Sequence, residues 1–306
     1  MALLEISAAE LLAWRRLQLA EGGRAVDFDW LLDLGGGLRW SDLQQLYLDP
    51  RRSVLLERSL DQLAMIWKQH LDHHIPLQHL IGCCPWRDVE LEVSAAALIP
   101  RQETELLVDF ALQALARKPF GRWADLGTGS GALAVALARA LPVWRGHAVD
   151  CSIEALALAK RNLQRLAPHA LWQLHQGSWW EPLRPWWGEF SLVLVNPPYI
   201  PEAVMAQLEP VVRDHEPHLA LCGGADGLVA TRQIIAGAMQ ALEPGGWLFL
   251  EHHHDQSDAV LALMRQQGLE NVDYKSDLLG VRRFAIARHP EHHDSLNHGT
   301  SAFGCS

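Results

Sequence analysis

RWADLGTGSGALAVALARAL, residues 122–141, has the pattern of a short apolar strand, a glycine-rich turn (GTGSG) and a helix. The glycines permit a tight turn and let a ligand come close to backbone N–H groups. The following helix adds the positive end of its dipole. The spacing is neither the G-x-x-x-x-G-K-[ST] of a phosphate loop nor the complete G-x-G-x-x-G of a dinucleotide site. On its own, the segment indicates either a nucleotide-binding loop or a tight connection between strand and helix.

The next strand, GHAVDCS, favours a ligand site. It ends at Asp150, about 20 residues beyond the glycine turn, where a carboxylate can accept both hydroxyls of a ribose. Asp150 could instead cap the following helix, but Cys151 and Ser152 compete for that position. Because the turn and the acid occur in the expected order, we predict that Asp150 binds a ribose.

Two tryptophans follow the third strand, LWQLH. Trp179 and Trp180 come after a turn at the carboxyl end of this strand, the edge at which open α/β sheets bind ligands. We expect one indole to flank an adenine and the other to belong to the core. From residue 101 onward apolar strands alternate with helical stretches, which predicts a parallel sheet with helices on both faces.

VLVNPPYI, residues 193–200, brings a polar side chain to the same edge. A buried strand, Leu192 to Val195, ends at Asn196, and two prolines and Tyr199 follow. The prolines stiffen the segment and have no N–H to donate, so its carbonyls are free acceptors. A rigid turn in which Asn196 caps the next helix is the alternative interpretation.

Periodicity divides the chain into four parts. They are a helical domain at 1–75, a β-hairpin connector at 76–100, an α/β domain at 101–288 and a non-periodic tail at 289–306, which we expect to be disordered. In the helical domain, Ser7 begins a helix through Leu19 with a capping-box arrangement, and Ser53 begins another helix through Leu71.

The composition is typical of a globular protein. Of 306 residues, 49% are hydrophobic and 20% are charged, and no apolar run approaches the ~18 residues of a membrane span. Five scattered cysteines without a C-x-x-C motif favour a reducing compartment, and the N-terminus lacks signal-peptide features. We therefore predict a cytoplasmic protein. The net charge of −10 disfavours bulk nucleic acid as a partner.

Three consecutive histidines, His252 to His254, do not predict a metal site. Neighbouring residues on a strand point to opposite faces, and no second cluster has ligand spacing. Arg101, Glu103 and Glu105 could form an acid–base set, but we expect an ion-pair network that joins the connector to the α/β domain. We expect Glu216 to be structural or to line a pocket.

DLGTGSG, Asp150 and NPPYI in this order resemble the class I S-adenosylmethionine-dependent methyltransferases, and N-P-P-Y resembles their branch that methylates planar nitrogens. Over roughly residues 1–288 the chain resembles the HemK/PrmC family of protein-glutamine N5-methyltransferases. Six segments carry this resemblance: PLQHLIG, LIPRQETELLV, DLGTGSGALAVALA, VNPPYIP, HEPHLALCGGADGL and DLLGVRRFAIAR. The sequence departs from the family pattern at Gln102, Ser178 and His215.

The resemblance implies a fold and a cofactor. The fold is a Rossmann-like, mostly parallel seven-stranded sheet with a small N-terminal helical domain and a β-hairpin linker. Its last strands, near 269–275 and 281–287, form an antiparallel hairpin. The cofactor is S-adenosyl-L-methionine, with Asp125 near its methionine end, Asp150 on its ribose and Trp179 by its adenine. The implied cofactor-binding residues are Asp125, Gly127, Thr128, Gly129, Ser130, Gly131, Asp150, Trp179 and Asn196.

The resemblance also assigns Asn196, Pro197, Pro198 and Tyr199 to the substrate, with Asn196, Pro197 and Tyr199 as catalytic residues. An amide nitrogen is a poor nucleophile because its lone pair is delocalised into the carbonyl. Asn196 Oδ1 and the Pro197 carbonyl could each accept one N–H and raise the electron density on nitrogen, and the rigid prolines preorganise these acceptors. Tyr199 would pack against the planar amide and shield it from water.

The implied function is methylation of the glutamine in the Gly-Gly-Gln motif of peptide chain release factors, in translation termination. The N-terminal helices would recognise the body of the release factor, and we expect a monomer without a membrane or direct nucleic-acid partner. One alternative is N-methylation of adenine or guanine amino groups in nucleic acid, which the acidic charge disfavours. The other is a non-catalytic binding module, which the intact motifs disfavour.

Overall fold

The computed structural model of this protein describes residues 3–115 and 118–291. Its N-terminal part combines helices with a small antiparallel sheet. The predicted capping box is confirmed, since the Ser7 hydroxyl accepts the N–H of Glu10 and the Glu10 carboxylate accepts the N–H of Ser7. The elements are β1 (Leu4–Ser7), α1 (Ala8–Ala20), α2 (Ala25–Trp30) with a π-helical turn (Leu31–Gly35), α3 (Trp40–Leu46), β2 (Ser53–Leu56) and α4 (Leu60–His73).

The prediction of a purely helical N-terminal part is wrong in two places. Residues 4–7 form a strand, and Ser53 begins strand β2 rather than a helix. The two strands pair antiparallel, and the side chains of β2 alternate between exposed and buried. Helix α4 begins later, after Ser59, which caps it. A four-residue alternation is too short to be separated by pattern alone from the helical periodicity that follows it.

The connector contains the predicted hairpin. A short helix, α5 (Leu77–Ile81), precedes strands β3 (Cys83–Trp86) and β4 (Val89–Glu92). These strands pair antiparallel around a turn in which Arg87 has a φ of 54°. The alternation in V-E-L-E-V therefore indicates the correct element.

The large sheet occupies the C-terminal part. Its strands are β5 (Arg122–Leu126), β6 (Arg145–Asp150), β7 (Leu171–Gln176), β8 (Phe190–Val195), β9 (Leu242–Glu251), β10 (Glu270–Ser276) and β11 (Arg282–Arg288). They lie in the order β10-β11-β9-β8-β5-β6-β7. Strands β5 to β9 pair parallel, and β11 pairs antiparallel with β9 and β10. The predicted mostly parallel sheet and its final hairpin are confirmed.

Helices cover both faces of this sheet. They are α6 (Glu105–Ala114), α7 (Ala132–Ala140), α8 (Ile153–Leu166), α9 (Glu202–Met205), α10 (Pro210–Arg213), α11 (His218–Leu221), α12 (Val229–Ala241) and α13 (Ser257–Gln266), with 3-10 turns at Glu181–Trp186 and His254–Gln256. Helices α6 and α7 contribute to the core on one face, and α12 and α13 to the core on the other. Burial on both faces explains why β8 is apolar at nearly every position.

The predicted tail begins at residue 289, but residues 289–291 are still described. The N–H of His289 donates to the carbonyl of Gly246. Residues 292–306, where most of that prediction falls, lie outside the described residues. None of the helices in the described ranges has both the length and the apolar character needed to cross a membrane.

Trp67→Ala should destabilise the N-terminal part strongly. The Trp67 side chain is fully buried, packs edge-on against Phe28 at 4.9 Å between ring centroids, and donates its indole N–H to the carbonyl of Gln18. Removing a buried tryptophan costs about 3–5 kcal/mol, so the urea midpoint of unfolding should fall. Met65→Ala, at an exposed position of α4, is the control and should change the free energy of unfolding by less than about 0.5 kcal/mol. Equal effects of the two substitutions would contradict the observed packing.

Candidate active site

The site lies where β5 and β8 end side by side. Leu126 pairs with Val195 at the carboxyl ends of these strands. The strand order reverses here, because β6 lies on one side of β5 and β8 on the other. Ligands of open α/β sheets bind in the crevice at such a switch point. A cavity of about 580 Å³ opens at this edge, and its lining includes Asp125, Asp150 and Asn196.

The glycine turn keeps its backbone close to this cavity. The N–H groups of Gly127 and Thr128 both donate to the carbonyl of Val149 at 2.8 Å, which ties the turn to β6. Gly127 has a φ of +73°, and a Cβ there would lie 3.2 Å from the ring of Trp179. A side chain at this position would therefore strain the backbone and crowd the indole.

Asp125 is a buried acid at the end of β5. Its Oδ2 accepts the Thr128 hydroxyl at 2.6 Å and the Ala134 N–H at 3.0 Å. Its Oδ1 is also buried and has no hydrogen-bond partner among the described residues. Burial raises the pKa of the Asp125 carboxyl to about 7, and the charge of Asp150 adds to the rise. A cationic ligand group at Oδ1 would stabilise the ionised form.

Asp150 holds the other side of the glycine turn. Its Oδ2 accepts the Gly129 N–H at 2.8 Å, and its Oδ1 accepts the Ser152 N–H at 2.9 Å. Ser152 caps α8, because its hydroxyl accepts the Ala155 N–H. The alternative in which Asp150 caps the helix is therefore wrong. A carboxylate has about four lone-pair sites, so Asp150 keeps acceptor capacity for ligand hydroxyls.

The two adjacent tryptophans separate as expected. Trp179 lines the cavity and has a φ of 46°, an uncommon conformation for a residue other than glycine. Trp180 is buried in the core and donates its indole N–H to the carbonyl of Ile234 at 2.8 Å. The adenine contact of Trp179 stays a prediction.

The Asn-Pro-Pro-Tyr segment contributes unequally to the cavity. Asn196 and Pro198 are among the lining residues. Pro197 is buried and is not among them, and the Tyr199 ring lies 6.2 Å from that of His253 between centroids. The catalytic roles of Pro197 and Tyr199 therefore stay predictions.

Asn162 joins the connector hairpin to the glycine turn, a contact that the sequence analysis missed. Its Oδ1 accepts the Glu92 N–H at 2.8 Å, and its Nδ2 donates to the carbonyls of Glu92 and Ser130, both at 2.9 Å. Asn162 is fully buried on α8. A polar residue on the apolar face of a helix is the sequence signal that could have identified it.

Glu216 joins two walls of the cavity and has the predicted structural role. Its carboxylate is buried and accepts the Ile99 N–H at 3.2 Å and a guanidinium N–H of Arg101 at 2.6 Å. The expected ion-pair network of Arg101, Glu103 and Glu105 is wrong for the described residues, because only Arg101 forms an ion pair, and its partner is Glu216. Glu105 instead accepts the backbone N–H of Arg87 in the hairpin, and this hydrogen bond joins the connector to the α/β domain.

The consecutive histidines make local contacts. His252 is buried with its Nδ1 2.8 Å from the carbonyl of His253, and the His253 Nδ1 contacts Asp255 at 2.6 Å. Within residues 3–115 and 118–291, no three His, Cys, Asp or Glu side chains are grouped so that they could hold a metal ion.

The reversed sheet order, the glycine turn and the Asn-Pro-Pro-Tyr segment at one edge define a class I methyltransferase. A family model described as "Methyltransferase small domain" matches residues 102–224. The solved structure of the hMettl16 catalytic domain in complex with MAT2A 3'UTR hairpin 1 is similar with a TM-score of 0.53, over 88% of this chain and 92% of that one. At 15% identity this likeness concerns the fold alone. The predicted fold class and methyltransferase activity are confirmed.

Relatives identify the family within this class. The release factor glutamine methyltransferase of Prochlorococcus marinus is 58% identical over 93% of this chain and 98% of its own length. The proteins of the same name from Thermosynechococcus vestitus and Synechocystis are 46% and 38% identical, over 82% and 92% of this chain and 88% and 97% of theirs. The chain belongs to the release factor glutamine methyltransferases, as its motifs predict.

Asp125→Asn should reduce the pH dependence of stability. The pKa of Asp125 is raised from 3.8 to about 7 in the folded protein. Its contribution to the free energy of unfolding is therefore fully present below about pH 4 and is lost as the pH rises through about 7. An asparagine cannot ionise, and the variant should lose less stability than the wild type between pH 5 and pH 8 in urea unfolding. Glu251, whose pKa burial also raises to about 7, leaves a residual dependence. An unaltered pH dependence would contradict the raised pKa of Asp125.

Proposed function

We propose that this protein transfers a methyl group from S-adenosyl-L-methionine to the side-chain amide nitrogen (N5) of the glutamine in the Gly-Gly-Gln motif of peptide chain release factors. One observation carries the proposal: Asn196 lines the same cavity as Asp125, Gly127 and Asp150. A side chain suited to bind an amide and a turn suited to bind a nucleoside therefore line the same cavity. The activity is the one for which the relatives are named.

The residues around the glycine turn fit S-adenosyl-L-methionine. The Oδ1 of Asp125, which is buried and has no partner among residues 3–115 and 118–291, suits the ammonium group of the methionine moiety. The Asp150 carboxylate suits the two ribose hydroxyls, and the Trp179 indole suits the adenine ring. The absence of a Cβ at Gly127 leaves room beside that indole. When bound, this cofactor supplies an electrophilic methyl group on a sulfonium.

Asn196 is the residue that we assign to the substrate amide. Its Nδ2 already donates to the Thr104 hydroxyl at 3.2 Å, so Oδ1 is the end that can accept an N–H from glutamine. The Pro197 carbonyl is the second acceptor in this scheme. The glutamine nitrogen would take the methyl group as the bond between that carbon and sulfur breaks; the sulfur would keep the electron pair as a neutral thioether, and one amide proton would pass to water. Holding both reactants in one site can lower the barrier by up to about 7–11 kcal/mol, and the scheme requires no acid–base pair.

We assign recognition of the release-factor body to residues 1–75. Large apolar side chains are exposed there, including the adjacent Tyr47 and Leu48 at 58% and 85%. Exposed apolar groups suit contact with a folded protein, whereas binding to a phosphate backbone depends on basic residues. The net charge of −10 likewise favours a protein substrate over a nucleic acid. Because release factors act in translation, we place this activity in the cytoplasm.

A methylation assay tests the reaction and its substrate together. Incubation with S-adenosyl-L-methionine should add one methyl group to the glutamine of the Gly-Gly-Gln motif of a release factor, as mapped by mass spectrometry. Asn196→Ala should slow the transfer by about 100-fold or more, since it removes a preorganised polar group at the reacting centre. Cofactor binding by this variant is measured in parallel, and its Kd should change much less than the rate, because Asp125, Asp150 and the glycine turn are intact. Methyl groups found only on a tRNA or DNA pool assayed in parallel would show that the release factor is not the substrate.

Asp150→Asn should weaken cofactor binding. A hydrogen bond to a charged acceptor is worth about 1.5–3 kcal/mol, so loss of the carboxylate should raise the Kd roughly 10- to 100-fold. Isothermal titration calorimetry with S-adenosyl-L-methionine measures this change. Asp258→Asn, on a side chain that is 92% exposed, is the matched control and should leave the Kd unchanged. An equal Kd for both variants would exclude the ribose role.

A further inference from the structure

A chain of two hydrogen bonds leads from Asn196 into the protein. Asn196 Nδ2 donates to Thr104 Oγ1 at 3.2 Å, and the Thr104 hydroxyl donates to Glu251 Oε2 at 2.7 Å. Asn196 follows β8, and Glu251 is the last residue of β9, the neighbouring parallel strand. Thr104 and Glu251 are 5% and 2% exposed. Both bonds are therefore largely shielded from competition with water.

The Thr104 hydroxyl does not cap helix α6, although its position in the chain suggests that role. Thr104 directly precedes α6, where a threonine commonly accepts an N–H of the first helical turn. Its side chain makes no such capping bond and contacts Asn196 and Glu251 instead. Helix α6 therefore lacks the stabilisation of this cap, and the hydroxyl is free to form hydrogen bonds with site residues.

The single hydroxyl proton fixes the direction of the chain. An ionised carboxylate only accepts hydrogen bonds, so the Thr104 proton points to Glu251. The lone pairs of Oγ1 then face Asn196 and can bind only its NH₂ group. This places Asn196 Nδ2 toward Thr104 and leaves Oδ1, the other end of the planar amide, for a substrate N–H. If Glu251 were protonated, its own proton could satisfy Thr104, and the Thr104 proton could turn to Asn196 Oδ1.

The surroundings of Glu251 keep both charge states accessible. Burial raises its pKa to about 7, while the Thr104 hydroxyl opposes that rise. The other charged or titratable groups that act on it come from the segment before α6, from β11 and from the segment after β8: Arg101, Glu103, Arg283 and Tyr199. The two arginines favour the ionised form, whereas Glu103 disfavours it.

We propose that Thr104 and Glu251 are positioning residues for methyl transfer, in which the ionised Glu251 carboxylate orients the Thr104 hydroxyl and Thr104 orients the Asn196 amide with Oδ1 toward the substrate. The proposal rests on the proposed function, since it assigns Asn196 to the substrate amide. Thr104 lines the cavity, but in this scheme both residues act through Asn196. They restrict Asn196 to one of its two amide orientations.

A first experiment needs no substrate. The chain has four asparagines, at 162, 196, 271 and 297, so asparagine-selective ¹⁵N labelling gives four side-chain NH₂ signals, and Asn196→Ala identifies one of them. Thr104→Val should shift that signal, whereas Thr231→Val should not. Thr231 is a matched control because it is buried and its hydroxyl has no hydrogen-bond partner among the described residues. An unmoved Asn196 signal in Thr104→Val would overturn the proposal, whatever the substrate is.

A second experiment measures the consequence for catalysis. Thr104→Val should lower kcat by roughly 10- to 100-fold, the loss found when a residue that orients a metal ligand is removed, while the Kd for S-adenosyl-L-methionine stays unchanged. Thr104→Ser keeps the hydroxyl and should restore most of the rate. Thr231→Val should match the wild type. An unchanged kcat in Thr104→Val, with a lower melting temperature, would mean that the hydroxyl serves stability alone.

The pH profile tests Glu251 separately. At saturating cofactor, kcat of the wild type should fall as the pH drops through about 7, because protonation of Glu251 releases the Thr104 proton. Glu251→Gln cannot titrate, so this fall should disappear from its profile. A fall that persists in Glu251→Gln would overturn the role of Glu251. If the wild type does not methylate a release factor, the proposed function fails, whereas the NMR result still decides whether Thr104 orients Asn196.

Discussion

The parallel pairing of β5 with β8 is the constraint on which the rest of the site depends. Leu126 and Val195 are opposite each other, so the glycine turn and the Asn-Pro-Pro-Tyr segment leave the sheet at adjacent points. A shift of one residue in this register would turn every side chain of one strand to the other face. The cores on both faces prevent such a shift, because β5 and β8 are buried throughout. Apolar packing therefore sets the distance between the glycine turn and Asn196.

The sheet supplies only one side of the cavity, and buried polar contacts place the other walls. Asn162 holds the connector hairpin against the glycine turn, and Glu216 ties Arg101 and Ile99 to the segment that precedes α11. Buried polar groups stabilise a structure when their partners are all present and are costly when one is lost. These contacts thus make the walls specific in position, whereas apolar packing alone would tolerate small displacements.

Local patterns in the sequence predict the large sheet, the connector hairpin and the part of the cavity lining that lies at the carboxyl ends of the strands. Each of these depends on neighbours in the chain: a strand beside its turn, or an acid at the end of the next strand. The strands β1 and β2 are missed because each has only four residues, and the contacts that stabilise them join distant segments, as in the Ser53–Glu5 hydrogen bond across 48 residues. Thr104 and Glu251 were missed for the same reason, since 147 residues separate them. No periodicity records a hydrogen bond between side chains that only folding brings together.

Asp125 and Glu251 are both buried carboxyls with a pKa raised to about 7, and they differ in their hydrogen-bond partners. Asp125 has one oxygen without a hydrogen-bond partner in the part of the chain that the structure describes, so its ionised form is destabilised unless a cationic group binds. Glu251 has the Thr104 hydroxyl as its partner and lies near two arginines. A cationic ligand group at Asp125 would stabilise its ionised form, whereas the groups that act on Glu251 all belong to the protein. The first acid suits recognition of a ligand that enters and leaves, and the second suits a fixed orientation that must persist through each turnover.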